Sequence, residues 1–182
     1  MYLYHYFEKS KGPFLSLSAL PPDEATAILS KLISDNKTFA AQRNGGYLSR
    51  RRELEKIIYK RFIEKGGKPE KETPHYFVVG ECPWLVTWYE QAEFIKVPIE
   101  DFDLQTLSFT YGDAFPTFSS KVTDGLEYRG TVYTYEEILK IIKKYGMPQD
   151  SWDKPIFAQP SYVEVQVWSD KTINKYRFSI VR

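Results

Sequence analysis

The sequence predicts a single α+β domain over residues 1–182, a mixed and mainly antiparallel sheet of about six to eight strands with three helices. Three observations predict it. Fourteen Tyr, twelve Phe and four Trp among 182 residues suit half-buried β surfaces built from aromatic cross-strand pairs. Strand-like runs recur at uneven spacing, without the strand–helix alternation of a repeating βαβ scheme. Three segments carry the punctuation and period of helices.

Taken in order, Tyr2–Phe7 is an aromatic run that suits a strand. Gly12-Pro13 breaks the chain, and Phe14–Leu17 offers a second strand. Pro21-Pro22-Asp23-Glu24 opens a helix, with proline in the first turn and two carboxylates at its positive end. Ala25, Ile28, Leu29, Leu32 and Ile33 then form one apolar face. A second helix runs from Gly46 or Tyr47 to Lys65, with Leu54, Ile57, Ile58 and Phe62 as its stripe. Gly66-Gly67 stops it. Lys68–Pro74 reads as an exposed linker between a helix-rich part, about 20–67, and a β-rich part, about 74–182.

Beyond Pro74, His75–Val79 is a strand, Trp84–Tyr89 fits strand or helix, and Phe94–Ile99 and Thr106–Tyr111 are strands. Asp124-Gly125 signals a hairpin between Lys121-Val-Thr and Leu126-Glu-Tyr, extended by Thr131–Tyr133. Thr134-x-x-Glu137 is a capping box, followed by the apolar positions Ile138, Ile141, Ile142 and Tyr145 and the stop at Gly146. Tyr162–Trp168 and Lys175–Val181 close the chain as a strand pair. In Tyr162–Trp168 the three valines face the core, while Glu164 and Gln166 form a polar outer face.

Composition narrows the function classes. A single cysteine, Cys82, allows no internal disulfide and suits a reducing compartment. The amino terminus lacks a basic signal-peptide start, and no apolar run reaches membrane-span length, so the expectation is a cytoplasmic protein without a membrane partner. His5, His75 and Cys82 make a thin metal inventory, with no paired-ligand spacing, and no structural metal is expected. No glycine-rich phosphate loop follows a strand.

Charge is unevenly placed. Arg43–Lys71 holds ten Lys/Arg against four Glu, a net +6, whereas Glu72–Arg182 carries a net −5. Such asymmetry points to an anionic partner, either nucleic acid or an acidic protein. The anion-binding candidates are Arg50, Arg51, Arg52, Lys56 and Lys60. Glu53, Glu55 and Glu64 are interspersed among them, and Glu55, four residues from Arg51 and three from Arg52, offers a competing fate for part of their charge. The catalytic candidates are His5, Tyr111, Asp113 and Glu164. Asp113 follows Gly112 in a loop rich in hydroxyls and aromatics, where it serves either a turn or a ligand. Glu164, if its face lines a cleft, is a candidate acid or base.

Two resemblances follow from these residues. Pro74–Leu85, Ser108–Phe118 and Val165-Gln-Val-Trp-Ser-Asp170 are similar to an uncharacterised bacterial family, which brings no activity with it. His5, then Ser108 or Tyr111, then Glu164 resembles the ordered set of ADP-ribosyltransferase-like enzymes. That resemblance implies a split β fold, NAD as cofactor, and a cleft lined by His5, Tyr111 and Glu164. The leading functional expectation is a binding module for an anionic partner; the NAD-using enzyme is its alternative.

Overall fold

The computed structural model describes residues 1–150 and 159–179. Five strands form one sheet: β1 (Tyr2–Glu8), β2 (His75–Val79), β3 (Ala92–Pro98), β4 (Leu107–Tyr111) and β5 (Val163–Val167). Their order is β3-β1-β2-β5-β4, and every neighbouring pair is antiparallel. The helices are α1 (Pro22–Asp35), α2 (Tyr47–Glu64), the single turn α3 (Ala114–Thr117), α4 (Tyr135–Tyr145) and α5 (Lys171–Ser179). The α+β class therefore stands, with fewer strands and more helices than the sequence predicts.

Strand register decides which side chains share a face. Leu3 pairs with Val79, Phe77 with Val165, and Phe109 with Val165, so odd-numbered residues of all four strands point the same way. This face is the main core. Leu3, Phe77, Phe109, Val163, Val165 and Val167 pack there with Ile138 of α4 and Ile173 of α5. The other face carries Tyr4, Tyr6, Tyr76, Val78, Ser108, Thr110, Glu164 and Gln166. It lies under α2, whose Leu54, Ile58 and Phe62 pack with Trp168, Val132 and Ala114. Helices α1 and α2 join through Ala25, Leu29 and Leu48.

The local signals behave as their chemistry requires. Thr134 Oγ1 accepts from the Glu137 amide while the Glu137 carboxylate accepts from the Thr134 amide, so the capping box is closed. Helix α2 ends where the Gly67 amide returns to the Phe62 carbonyl at 2.9 Å. Lys68–Pro74 is held to the β-rich part, with Lys68 N donating to Gln105 O at 2.7 Å and Glu70 N to Trp168 O at 2.8 Å.

Several expected strands are something else. Phe14 has φ = 63°, which no strand accommodates, and its amide donates to the His5 ring. Trp84–Tyr89, which fits strand or helix by sequence, takes a helical form, falling largely in a 3₁₀ stretch, Pro83–Trp88. At Asp124-Gly125 the aspartate accepts from Leu126 N and pairs with Arg129, giving a turn without flanking strands. Thr131–Tyr133 contributes one isolated bridge, Tyr133 to Phe109. The expected last strand is helix α5 as far as Ser179: Ser169 Oγ accepts from Lys171 N, Asn174 N reaches Asp170 O, and Ile173 and Tyr176 face the core. The remainder of that expected strand lies outside the described residues.

The polar outer face of β5 is also corrected. Glu164 is only 7 % exposed and Gln166 is fully buried, because α2 covers the side that an alternating pattern leaves to water.

Candidate functional site

The layer between α2 and the sheet is unusually polar for a core. Glu55 of α2 is 3 % exposed, and its Oε1 accepts from Ser18 Oγ (2.6 Å), Tyr76 Oη (2.8 Å) and Arg51 Nε (3.1 Å). Arg51 also donates to Ser18 Oγ, Tyr47 Oη and Ser16 Oγ, and its guanidinium lies 4.3 Å above the Tyr76 ring. Burial alone works against its charge, but Tyr47, Tyr76 and Glu55 outweigh it and hold the guanidinium firmly protonated. Burial pushes the Tyr76 phenol well up.

Next to this network sit two acids. Asp113 caps α3: Oδ1 accepts from Phe115 N at 2.7 Å and Oδ2 from Tyr162 Oη at 2.9 Å. Glu164, on β5 opposite Val78 and Thr110, accepts from Gln166 Nε2 at 2.9 Å. Burial first, and then the like charge of Asp113, push the Glu164 carboxyl up to about 8; burial raises Asp113 as well. Gln166 continues the chain to Ser108 Oγ, which accepts from Trp168 Nε1. The arrangement holds a proton on a buried carboxyl at neutral pH.

Of the four catalytic candidates, the structure brings Asp113 and Glu164 together. His5 and Tyr111 lie on the opposite, apolar face. The cleft expected from His5, Tyr111 and Glu164 is not formed, because residues 5 and 111 share a parity that the register sets against 164. His5 is buried, with Nε2 accepting from Phe14 N and Nδ1 facing Tyr76 O, each at 2.8 Å. That pattern defines a neutral ring, and burial lowers its pKa to about 4. Tyr111 donates to Gly146 O and packs against Tyr128 and Tyr145; burial pushes it up to about 12.

Cys82 is buried among Tyr4, Tyr6, Val78 and Tyr162, across the sheet from His5 and His75, and burial raises its thiol to about 11. His75 instead meets Asp170 at 2.6 Å, and Lys71 reaches the same oxygen. No group of His, Cys, Asp or Glu among the described residues is placed to hold a metal.

The basic helix is mostly engaged within the fold. Arg50 bonds Glu53 and Phe118 O, Arg51 bonds Glu55, and Arg61 donates to Gly130 O. Lys65 pairs with Glu137 at 2.8 Å. Arg52 gives one N–H to Leu20 O but also lines, with Lys56, a hollow of about 590 Å³ between α1 and α2. Thr26, Ser30 and Ser49 add hydroxyls to that hollow, and Glu53 one carboxylate. Lys60 is exposed, 3.9 Å from Glu64. A smaller recess of about 260 Å³ lies near the start of α2 and includes Arg43.

Sequence reasoning passed over Arg43, Tyr47, Tyr76 and Tyr162, and it read Glu55 only as a partner that absorbs arginine charge, not as a buried centre. A local signal existed only for Glu55, four residues after Arg51. The others meet through contacts that no spacing announces.

Comparison with known proteins finds no matching family model, no similar curated protein and no similar solved structure. No helix among the described residues is long and apolar enough to cross a membrane.

Proposed function

We propose that this chain is a binding module for an anionic partner, and that the partner lies along the outer side of α2 at its groove with α1. One observation carries the reading. Arg50, Arg51, Arg61 and Lys65 are bonded to acceptors of the fold itself, whereas Lys56, together with Arg52, which gives one N–H to Leu20 O, lines the α1–α2 hollow beside Thr26, Ser30, Ser49 and the Glu53 carboxylate. Thr26 Oγ1 already donates to Pro22 O, and cations flanked by the Ser30 and Ser49 hydroxyls suit the oxygens of a phosphate or carboxylate chain. Exposed Lys60, one turn beyond Lys56, continues the same positive line.

Three cations neutralise few phosphates, so the salt slope is small: for about three contacts on a single strand, log K falls with log salt at a slope of about −2.

The test is fluorescence anisotropy with a labelled single-stranded oligonucleotide at 20–200 mM salt, with an acidic peptide of equal charge as the second probe. The expected result is oligonucleotide binding at low salt that weakens with salt, with a shallower slope in the Arg52→Ala/Lys56→Ala variant. Each lost contact on a single strand reduces the slope by about 0.7. No oligonucleotide binding at low salt, or an unchanged slope in the variant, rejects this assignment. Binding of the acidic peptide alone replaces nucleic acid by an acidic protein as the partner.

A further inference from the structure

We propose that Arg43 anchors a second anion site, independent of the α1–α2 groove, which takes a single oxyanion, a carboxylate or a phosphate, in the recess at the start of α2. The Arg43 guanidinium lies 4.3 Å from the centroid of the Tyr47 ring and 5.1 Å from that of Trp88. A planar cation held by its faces keeps its N–H edge for an acceptor lying in its own plane. That edge is under-used: Arg43 Nε is buried without a hydrogen-bond partner in the fold, and so is the adjacent indole donor, Trp88 Nε1. Of the two residues, Arg43 lines the recess and Trp88 backs it from outside the lining, so an arginine without an acceptor for its Nε in the fold is what the recess offers to an external oxyanion. The other arginines of this region, Arg50, Arg51 and Arg52, each reach an acceptor of the protein.

The recess has the size and lining for one headgroup. Its volume, about 260 Å³, falls just under the usual range for whole small-molecule pockets. Gln42, Asn44 and Arg50 add polar groups to its wall, and Tyr47 and Phe115, stacked at 5.1 Å with their planes 3° apart, give it a flat apolar side. Asp113 is the opposing charge. It caps the turn that carries Phe115 and lies close enough to feel Arg43. Burial pushes its carboxyl toward the neutral form, which lessens the repulsion of an incoming anion.

The experiment titrates the full chain with inorganic phosphate, phenyl phosphate and benzoate, following tryptophan fluorescence, since Trp88 stacks on the anchoring cation. Saturable binding is expected. Arg43→Gln should weaken it at least tenfold. Arg43→Lys should weaken it several-fold, because an ammonium keeps the charge but lacks the two-pronged N–H edge. Arg52→Ala/Lys56→Ala should leave it unchanged, which separates this site from the groove. Tighter binding of benzoate or of phenyl phosphate supports the site and assigns it to carboxylate or phosphate. Absence of saturation with all three probes overturns the proposal, as does equal affinity in wild type and Arg43→Lys; the lysine variant decides the matter if the glutamine variant fails to fold.

Discussion

On one side of β5, Val163, Val165 and Val167 meet Leu107, Phe109, Phe77 and helix α4; on the other, Glu164 and Gln166 meet Ser108, Thr110, Tyr76 and the charged pair of α2. Both sides are buried, by different means. The valine side needs only volume and shape, so its members are interchangeable within packing limits. The polar side needs each donor matched to an acceptor, so its members depend on one another. Ser18, Tyr76 and Arg51 converge on a single oxygen of Glu55, and loss of any one changes what the others must bear.

The largest expected effect breaks that dependence. Arg51→Met leaves the buried Glu55 carboxylate without its cation, and removing one partner of a buried pair costs about 3–5 kcal/mol. Replacing both, as Arg51→Met/Glu55→Leu, removes the stranded charge and should restore a substantial part of the loss. Urea unfolding at neutral pH checks this. If the double variant is no more stable than the single one, the polar face owes nothing to mutual charge compensation and behaves like the valine face.

A second test uses pH, because the two faces respond in opposite directions. On the apolar face His5 has a folded pKa of about 4 against 6.5 unfolded, so the unfolded chain holds the extra proton in that window and stability is lost as pH falls through it. On the polar face Glu164 titrates at about 8 when folded against 4.5 when unfolded. The folded chain then holds the extra proton, and stability is lost as pH rises from 4.5 to 8. The windows oppose each other between 4.5 and 6.5, which leaves pH 6.5–8 as the range where Glu164 dominates. Stability should drop there by on the order of 1–2 kcal/mol, and Glu164→Gln should flatten the drop. An equal drop in the glutamine variant would assign the dependence to other groups.

The same contrast explains what the sequence made legible. Helices α1, α2 and α4 announce themselves because their signals are local: Pro22 in a first turn, Gly66-Gly67 as a stop, Thr134 with Glu137 as a box. The valines of β5 announce the core. Alternation in Val163–Val167 says that two faces differ in polarity, but not that a helix more than a hundred residues upstream covers the polar one. His5 and Glu164 looked compatible because the face of a side chain depends on register, Leu3 to Val79 and Val78 to Glu164, which spacing along the chain does not encode. Arg51 and Glu55 were legible as a pair, yet their burial was not. Arg43 carried no signal, since its two ring partners, Tyr47 and Trp88, are joined only by the fold.

The smallest effect resolves a single bond of the polar face. Ser108 Oγ donates to Gln166 Oε1 at 2.7 Å and accepts from Trp168 Nε1 at 2.8 Å, and all three residues are fully buried. Ser108→Ala leaves an indole donor and an amide acceptor unpaired and should cost about 1–3 kcal/mol, although it removes only one oxygen. Trp168→Phe deletes the donor instead, at a cost in packing against Leu54, Ile58 and Phe62. In the double variant the indole donor no longer exists to be stranded. The serine change should then cost less than it does alone, with a coupling of at least about 0.5 kcal/mol. Strict additivity in that cycle would mean that Ser108 and Trp168 are held by packing alone, and that the two faces of β5 differ in composition but not in the way they hold the fold.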